Sequence, residues 1–193
     1  MSTNSTPNEL THDEKFDDRQ LLPQPGKKRF GLRRRDVFSL LVWLGIVAIA
    51  AIAGGMVTQP GLNEWYESLN KPAFHPPNWV VGPVWTALYV MMAIAAWMVW
   101  PRRDEASQRR AVHFFAAIFI IQLVLNILWS VLFFGWRSPM FAFFEICVLW
   151  VAVATTVALS FRHNRSAGWQ LVPYLGWASF ALVLNLMIWR ANV

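Results

Sequence analysis

The sequence predicts an all-α membrane protein built as a bundle of five transmembrane helices. Of its 193 residues, 56% are hydrophobic and only 15% are charged, which lies outside the usual composition of soluble domains. A helix needs roughly 20 mostly apolar residues to cross a hydrocarbon core, and five uninterrupted runs reach that length. A membrane β-barrel would instead show alternating segments of about ten residues, so that class is excluded. The five runs cover residues 37–58, 79–100, 111–134, 140–161 and 169–189.

The first 36 residues differ from the rest because they are polar, acidic at first and then basic. This composition predicts a disordered tail, which precedes a membrane domain over residues 37–193. The basic cluster lies too far from the N-terminus for a cleaved signal peptide, and the apolar run after it is long enough to span, so we expect the first span to be retained. The cluster consists of Lys27, Lys28, Arg29, Arg33, Arg34 and Arg35.

Basic residues alternate between the two ends of the predicted spans. The tail, the second loop and the fourth loop are rich in arginine, whereas the first loop, the third loop and the C-terminus each carry a single Lys or Arg. By the positive-inside rule the N-terminus is cytoplasmic, and the C-terminus and the first loop, residues 59–78, lie on the opposite face. The basic tail also suits anionic lipids, and the sequence leaves that alternative open.

Most of the twelve tryptophans fall where membrane proteins concentrate this residue, at the level of the lipid headgroups. We assign five of them to an interfacial belt because they lie at span ends. Three more lie within a few turns of an end and receive no functional role. The belt residues are Trp79, Trp100, Trp136, Trp169 and Trp189, and the other three are Trp43, Trp97 and Trp150.

Two spans combine an aromatic residue with polar side chains on one face. In the second span, Trp85 and Tyr89 are four residues apart and therefore share a face. In the third span, Gln122 and Asn126 form a polar stripe, with Trp129 beside it. Such a stripe avoids lipid, so we expect it to face the interior of the bundle.

The fifth span repeats this pattern, with Trp177, Ala181 and Asn185 at spacings of four and eight. Three inward faces that mix aromatic, small and polar residues predict a pocket for a flat, largely apolar ligand with a few polar groups. The alternative is that the polar residues only join helices through hydrogen bonds. Spacing alone leaves both interpretations open.

Glu145 is the one acidic residue inside a predicted span, where an ionisable group is costly unless it is paired, protonated or near water. It lies about six positions into its span, so it could reach the interface or pair with a polar neighbour. A proton relay normally needs several such residues, and none is predicted. Cys147 is the single cysteine, which excludes an intrachain disulfide and a multi-cysteine metal site.

The first loop predicts a rigid lid over the outer end of the bundle. Its prolines forbid a continuous helix and favour stiff turns, and a rigid aromatic loop can close a pocket. His75 has no second ligand at a recognisable spacing, so no metal or haem site is predicted. The candidate lid residues are Trp65, Lys71, His75 and Trp79.

Taken together, the motifs resemble those of the TspO/MBR family, also called tryptophan-rich sensory protein, translocator protein or peripheral-type benzodiazepine receptor. The resemblance covers roughly residues 54–192 and depends on the order and spacing of many motifs. They are Trp65-Tyr66, Leu69-Asn70-Lys71-Pro72, His75-Pro76-Pro77-Asn78-Trp79, Val84-Trp85-Thr86-Ala87-Leu88-Tyr89, Gln122-Leu123-Val124-Leu125-Asn126, Trp129, Phe133-Phe134-Gly135, Pro173-Tyr174, Trp177, Phe180-Ala181 and Leu184-Asn185.

This resemblance implies a five-helix bundle, often a homodimer, whose pocket opens beneath the first loop and binds protoporphyrin-type tetrapyrroles, sterols or aromatic drugs. It also implies light-dependent porphyrin breakdown, an activity proposed for some bacterial members, with the tryptophans that match Trp85 and Trp177 involved. No covalently bound cofactor, metal or nucleic-acid partner is expected. The ligand-binding positions it implies are Trp85, Tyr89, Gln122, Asn126, Trp129, Trp177, Phe180, Ala181 and Asn185.

One departure bears on the ligand. Animal members carry a cholesterol-recognition pattern with a tyrosine before a basic residue, whereas this chain reads Asn185-Leu186-Met187-Ile188-Trp189-Arg190. Such motifs are weak even when complete, so the missing tyrosine argues against cholesterol binding without excluding it. Together with the basic cytoplasmic tail, it favours a bacterial member over a mitochondrial one. We predict a tetrapyrrole-binding sensor or transporter in the membrane, with light-dependent porphyrin degradation or sterol transport as alternatives. An internal repeat of the kind found in many transporters is absent from the sequence.

Overall fold

The computed structural model describes residue 1, residues 34–63 and residues 65–193, and within them the predicted five-span helical architecture is confirmed. Five long helices are apolar enough to cross a membrane, and a short helix lies in the first loop. The helices are α1 (Arg34–Asn63), α2 (Trp65–Ser68), α3 (Asn78–Val99), α4 (Arg109–Ser130), α5 (Pro139–His163) and α6 (Arg165–Ala191).

The helices extend beyond the predicted spans. Residues 34–36, placed in the tail by the sequence prediction, form the first turn of α1. A 3₁₀ turn, Trp100–Asp104, continues α3, and a π-helical turn, Val131–Gly135, continues α4. Hydropathy marks only the apolar part of a helix, and polar residues prolong it into the headgroup region. Apart from residue 1, the rest of the predicted disordered tail lies outside the described residues.

The five long helices form a closed ring in the order α1, α3, α6, α5, α4. The α5–α6 pair has the most extensive interface, and α4 packs next most extensively on α5. Small residues allow close helix approach in a membrane, and Ala93, Ala95 and Ala96 are completely buried on α3. Phe115 and Phe119 fill the interior at the end of the ring far from the first loop.

The outer surface of the ring is apolar. Exposed side chains such as Ile49, Val124 and Val151 cover its middle, as expected of a surface that faces lipid. Among the predicted belt residues, Trp79, Trp136 and Trp169 are exposed at helix ends. Trp100 differs because it packs edge-on against buried Trp43, with ring centroids 5.5 Å apart.

A glycine sets the contact between α1 and the π-helical turn. A Cβ atom added to Gly61 would lie 2.9 Å from Cβ of Phe134, closer than side chains tolerate. The absence of that atom lets the outer end of α1 approach Phe133 and Phe134, which pack against Trp65 of α2. The aromatic cluster therefore joins the first loop to α1 and α4.

Candidate functional site

A cavity of about 520 Å³ lies within the bundle beneath the first loop. Helices α1, α3, α4 and α6 form its walls, and Pro76 and Asn78 border its outer end. Its size lies within the range of small-molecule sites, which are mostly apolar with a few polar groups. The structure therefore contains a space large enough for a flat organic ligand.

The structure brings most of the sequence-predicted ligand-binding residues to this one cavity. Gln122 is the exception, because it lies one helical turn beyond Asn126 and is completely buried. Among the candidate lid residues, Trp79 borders the cavity, whereas Trp65, Lys71 and His75 do not. The predicted residues that line it are Trp85, Tyr89, Asn126, Trp129, Trp177, Phe180, Ala181 and Asn185.

Pairs of aromatic rings form the cavity walls. Trp85 and Tyr89 on α3 have ring centroids 5.4 Å apart, and so do Trp177 and Phe180 on α6. The i and i+4 spacing on α3, and the i and i+3 spacing on α6, put each pair on one helix face. The walls thus present flat, polarisable surfaces from two neighbouring helices, the surfaces that an aromatic ligand stacks on.

Trp129 is held in the wall by a polar contact. Its indole Nε1–H donates to Asn185 Oδ1 at 3.0 Å, and Asn185 Nδ2 donates to the carbonyl oxygen of Pro139 at 2.8 Å. Trp129 also stacks on Phe133, with centroids 5.1 Å apart. Asn185 therefore lines the cavity and also joins α6 to α4 and α5.

Below the cavity, three polar side chains form a buried network. Asn126 Nδ2 lies 3.0 Å from the backbone carbonyl oxygen of Gln122 and 2.5 Å from the hydroxyl of Tyr174. The Tyr174 hydroxyl donates to Gln122 Oε1 at 2.6 Å. Gln122 thus supports Asn126 from below. The sequence prediction assigned no role to Tyr174, which lies on α6.

The first span contributes a wall that the sequence prediction missed. Ala51, Gly54, Thr58 and Leu62 of α1 line the cavity. A Cβ atom on Gly54 would stand 3.6 Å from Ser130 Oγ, so small residues on α1 leave room beside α4. The recurrence of small residues at intervals of three and four, at positions 51, 54, 55 and 58, was the available signal.

Lys71 holds the first loop in shape and does not enter the cavity. Its Nζ donates to the carbonyl oxygens of Tyr66, Glu67 and Leu69 at 2.8, 3.0 and 3.0 Å, and it lies 5.1 Å from the centroid of the Tyr66 ring. Burial raises the pKa of the Tyr66 hydroxyl. His75 Nδ1 lies 3.0 Å from the carbonyl oxygen of Pro72. Both predicted lid residues therefore brace the loop backbone.

The loop is also fastened to the end of α6. The backbone N–H of Asn70 donates to Asn192 Oδ1 at 2.9 Å, and Asn192 Nδ2 donates back to the Asn70 carbonyl oxygen at 2.9 Å. Asn70 Nδ2 donates to the carbonyl oxygen of Ala191 at 3.3 Å. We call this set of contacts the Asn70–Asn192 clasp. It ties the outer cover of the cavity to the helix that carries Trp177.

Glu145 lies on α5, away from the cavity lining. It is 8% exposed, and neither carboxylate oxygen has a hydrogen-bond partner among the described residues. The structure thus provides no polar neighbour for the carboxylate among the described residues. Within the described part of the chain, no group of three or more His, Cys, Asp or Glu side chains is placed to hold a metal ion.

Fold and site together define a class: an integral membrane protein of five helices that encloses an aromatic, ligand-sized cavity beneath an ordered loop. Comparison with known proteins makes this specific. The family model of the TspO/MBR family matches residues 42–190, and the chain belongs to that family.

Relatives from several kingdoms support this assignment. The chain is 39% identical over 149 residues to the tryptophan-rich protein TspO of Archaeoglobus fulgidus, and the match covers 76% of this chain and 94% of the relative. It is 37% identical over 153 residues to the tryptophan-rich sensory protein of Cereibacter sphaeroides, with 78% and 92% covered. It is 35% identical over 129 residues to the human translocator protein, with 67% and 75% covered.

Proposed function

We propose that this protein binds protoporphyrin-type tetrapyrroles non-covalently in the cavity and acts as a membrane sensor or transporter for them. The observation that carries the proposal is that Trp85 and Trp177, on different helices, line the same cavity of about 520 Å³ with Asn126. The names of two relatives, sensory protein and translocator protein, fit either role.

The cavity chemistry suits a flat macrocycle. Indole and phenol rings stack on aromatic faces, and each such contact adds to the burial of apolar surface. Two wall pairs, Trp85 with Tyr89 and Trp177 with Phe180, provide these faces. A small number of polar groups at defined places then fixes the ligand orientation. Asn126, in the cavity lining, is such a group.

Titration of the purified, detergent-solubilised chain with protoporphyrin tests the proposal, with porphyrin absorbance and tryptophan quenching as readouts. A Trp85→Phe, Trp177→Phe double variant should bind at least tenfold more weakly, because both stacking faces lose area and their indole groups. Trp136→Phe, Trp169→Phe is the matched control, since both residues are exposed, at 69% and 63%, outside the cavity lining. Equal affinity in both double variants would refute the placement.

Sensor and transporter differ in net flux. Proteoliposomes that contain the wild-type chain and an encapsulated porphyrin-binding protein should accumulate porphyrin if the chain is a transporter. Binding without accelerated flux, relative to the double variant Trp85→Phe, Trp177→Phe, would assign the chain to the sensors.

The two cavity tryptophans also support a second candidate function, light-dependent porphyrin oxidation with dioxygen as oxidant. The bound ligand would itself be the chromophore, and Trp85 and Trp177 would be the redox partners beside it. Illumination of the complex should give a new product with wild type and the control double variant. Equal conversion by the Trp85→Phe, Trp177→Phe variant would remove this candidate.

We further propose that the chain forms a homodimer in lipid, with its N-terminus cytoplasmic and its C-terminus on the other face. The exposed apolar surface supports lipid contact and self-association. In a Cys147→Ser background, single cysteines placed at Ser2 and Val193 should react with a membrane-impermeant reagent from opposite sides. Light scattering in detergent tests the dimer, and a monomeric mass would contradict it.

A further inference from the structure

The innermost polar side chain of the cavity wall on α4 is Asn126. It lies nine residues before Gly135, where the extended α4 ends beside the first loop, which corresponds to a depth of about 13 Å. Asn126 is 4% exposed and lines the cavity, whereas Gln122, one turn further in, is completely buried and does not. A ligand that enters past the loop therefore meets Asn126 with its leading end.

The orientation of the Asn126 amide follows from its neighbours. The atom that faces Gln122 lies 3.0 Å from a backbone carbonyl oxygen, which can only accept a hydrogen bond. That atom must be the nitrogen, because the flipped amide would hold two oxygen atoms at this distance. The same nitrogen lies 3.1 Å from Gln122 Oε1, which penalises the flip again.

Tyr174 completes this arrangement. Its hydroxyl accepts from Asn126 Nδ2 at 2.5 Å and donates to Gln122 Oε1 at 2.6 Å, while Gln122 Nε2 points to Met92 Sδ at 3.6 Å. The Asn126 nitrogen is thus saturated. Oδ1, on the opposite side of the amide, accepts no hydrogen bond from any described residue. Although it has no partner, Oδ1 is not fully buried. Because Asn126 lines the cavity, this exposed part of the atom faces the cavity.

We infer that Asn126 Oδ1 is a fixed hydrogen-bond acceptor at the cavity floor, and that the cavity selects flat apolar ligands that carry an N–H or O–H donor at the leading end. Tyr174 is a positioning residue that holds the amide in this orientation. The inference rests on the proposed function, because that function places the ligand in this cavity. A tetrapyrrole can satisfy it with a protonated carboxyl group at the edge of the macrocycle.

The selection has a physical cause. A ligand with a donor replaces the water that Asn126 Oδ1 loses, whereas a purely apolar ligand leaves a desolvated acceptor, and a ligand with an acceptor adds repulsion. One hydrogen bond of this kind changes affinity by about five- to tenfold. The effect should separate ligands that have the same shape and differ in one atom.

Three tricyclic probes meet that requirement: carbazole, fluorene and dibenzofuran, which present N–H, CH₂ and O at the same ring position. Equilibrium binding to the full-length chain in detergent, corrected for partition into empty micelles, gives the affinity ratios. We expect wild type to prefer carbazole over fluorene by about fivefold, with dibenzofuran weakest. In Asn126→Leu the three affinities should converge to within about twofold.

Two further variants separate positioning from general damage. Tyr174→Phe removes the hydroxyl that holds the amide, so dibenzofuran should gain relative to carbazole, a change of preference that loose packing alone would not produce. Thr86→Val is the matched control, because Thr86 lines the cavity but its hydroxyl already donates to the Gly82 carbonyl oxygen at 2.9 Å. It should retain the wild-type order.

The inference fails if folded wild type binds the three probes equally or binds none of them, or if Asn126→Leu retains the preference for carbazole. Its failure is distinguishable from failure of the proposed function. If the chain discriminates among the probes but does not bind protoporphyrin saturably, the inference about Asn126 stands and the proposed tetrapyrrole function fails. If it binds protoporphyrin saturably but does not discriminate among the probes, the proposed function stands and the inference about Asn126 fails.

Discussion

The Asn70–Asn192 clasp is the contact whose loss should open the outer cover of the cavity. Asn192→Ala removes two hydrogen bonds of 2.9 Å between the loop and α6, and keeps the α6 backbone. Both residues are exposed, so each bond contributes at the low end of the net range, about 0.5 kcal/mol, or about 1 kcal/mol together. That energy corresponds to a roughly fivefold larger population of the open loop.

Hydrogen exchange measured by mass spectrometry reads this population, because amides in a loop exchange through local opening. The peptide that covers residues 66–78 should exchange about fivefold faster in Asn192→Ala, while peptides from α4 and α5 stay unchanged. Val193→Ala is the control, since its side chain is 95% exposed. If the loop peptide exchanges alike in both variants, the clasp does not hold the cover.

Three further predictions concern stability, each measured by thermal unfolding in detergent. Glu145→Leu should stabilise the bundle by about 1–3 kcal/mol because it removes two buried, unpartnered acceptors, and Glu145→Gln should stabilise it less. A lower unfolding midpoint for Glu145→Leu than for wild type would show that the buried carboxylate does not destabilise the fold. Gly61→Ala should cost about 1–3 kcal/mol by overpacking against Phe134, whereas Gly55→Ala, with nothing within 4 Å, should be neutral or stabilising. Trp129→Phe should cost about 1 kcal/mol through the lost bond to Asn185, and an equal cost in exposed Trp136→Phe would show that this bond contributes nothing.

The spans could be predicted from the sequence because length and hydropathy are local properties, and all five predicted runs lie within the helices found. Helical periodicity also identified the inward faces that carry Trp85, Asn126 and Trp177. Periodicity gives direction around a helix axis and not depth along it. It therefore placed Gln122 beside Asn126 in the pocket, although Gln122 lies below it.

Other features depend on tertiary contacts that leave no local pattern. The first span is apolar on all sides, so its cavity face shows only as a recurrence of small residues such as Gly54. Lys71 looked like a lid residue, but its ammonium group turns back to its own loop. Trp100 lies at a span end, yet the neighbouring helix offers Trp43 as a packing partner.

The way in which Lys71 is held has a consequence for the conditions under which the loop keeps its shape. Its ammonium group is bound by three backbone carbonyl oxygens, and no ion pair with a carboxylate is formed among the described residues. Carbonyl oxygens do not titrate and remain in place when carboxylates become protonated. The hydrogen bonds of Lys71 to the loop backbone therefore do not depend on the protonation state of a carboxylate, and acidification leaves these three bonds in place.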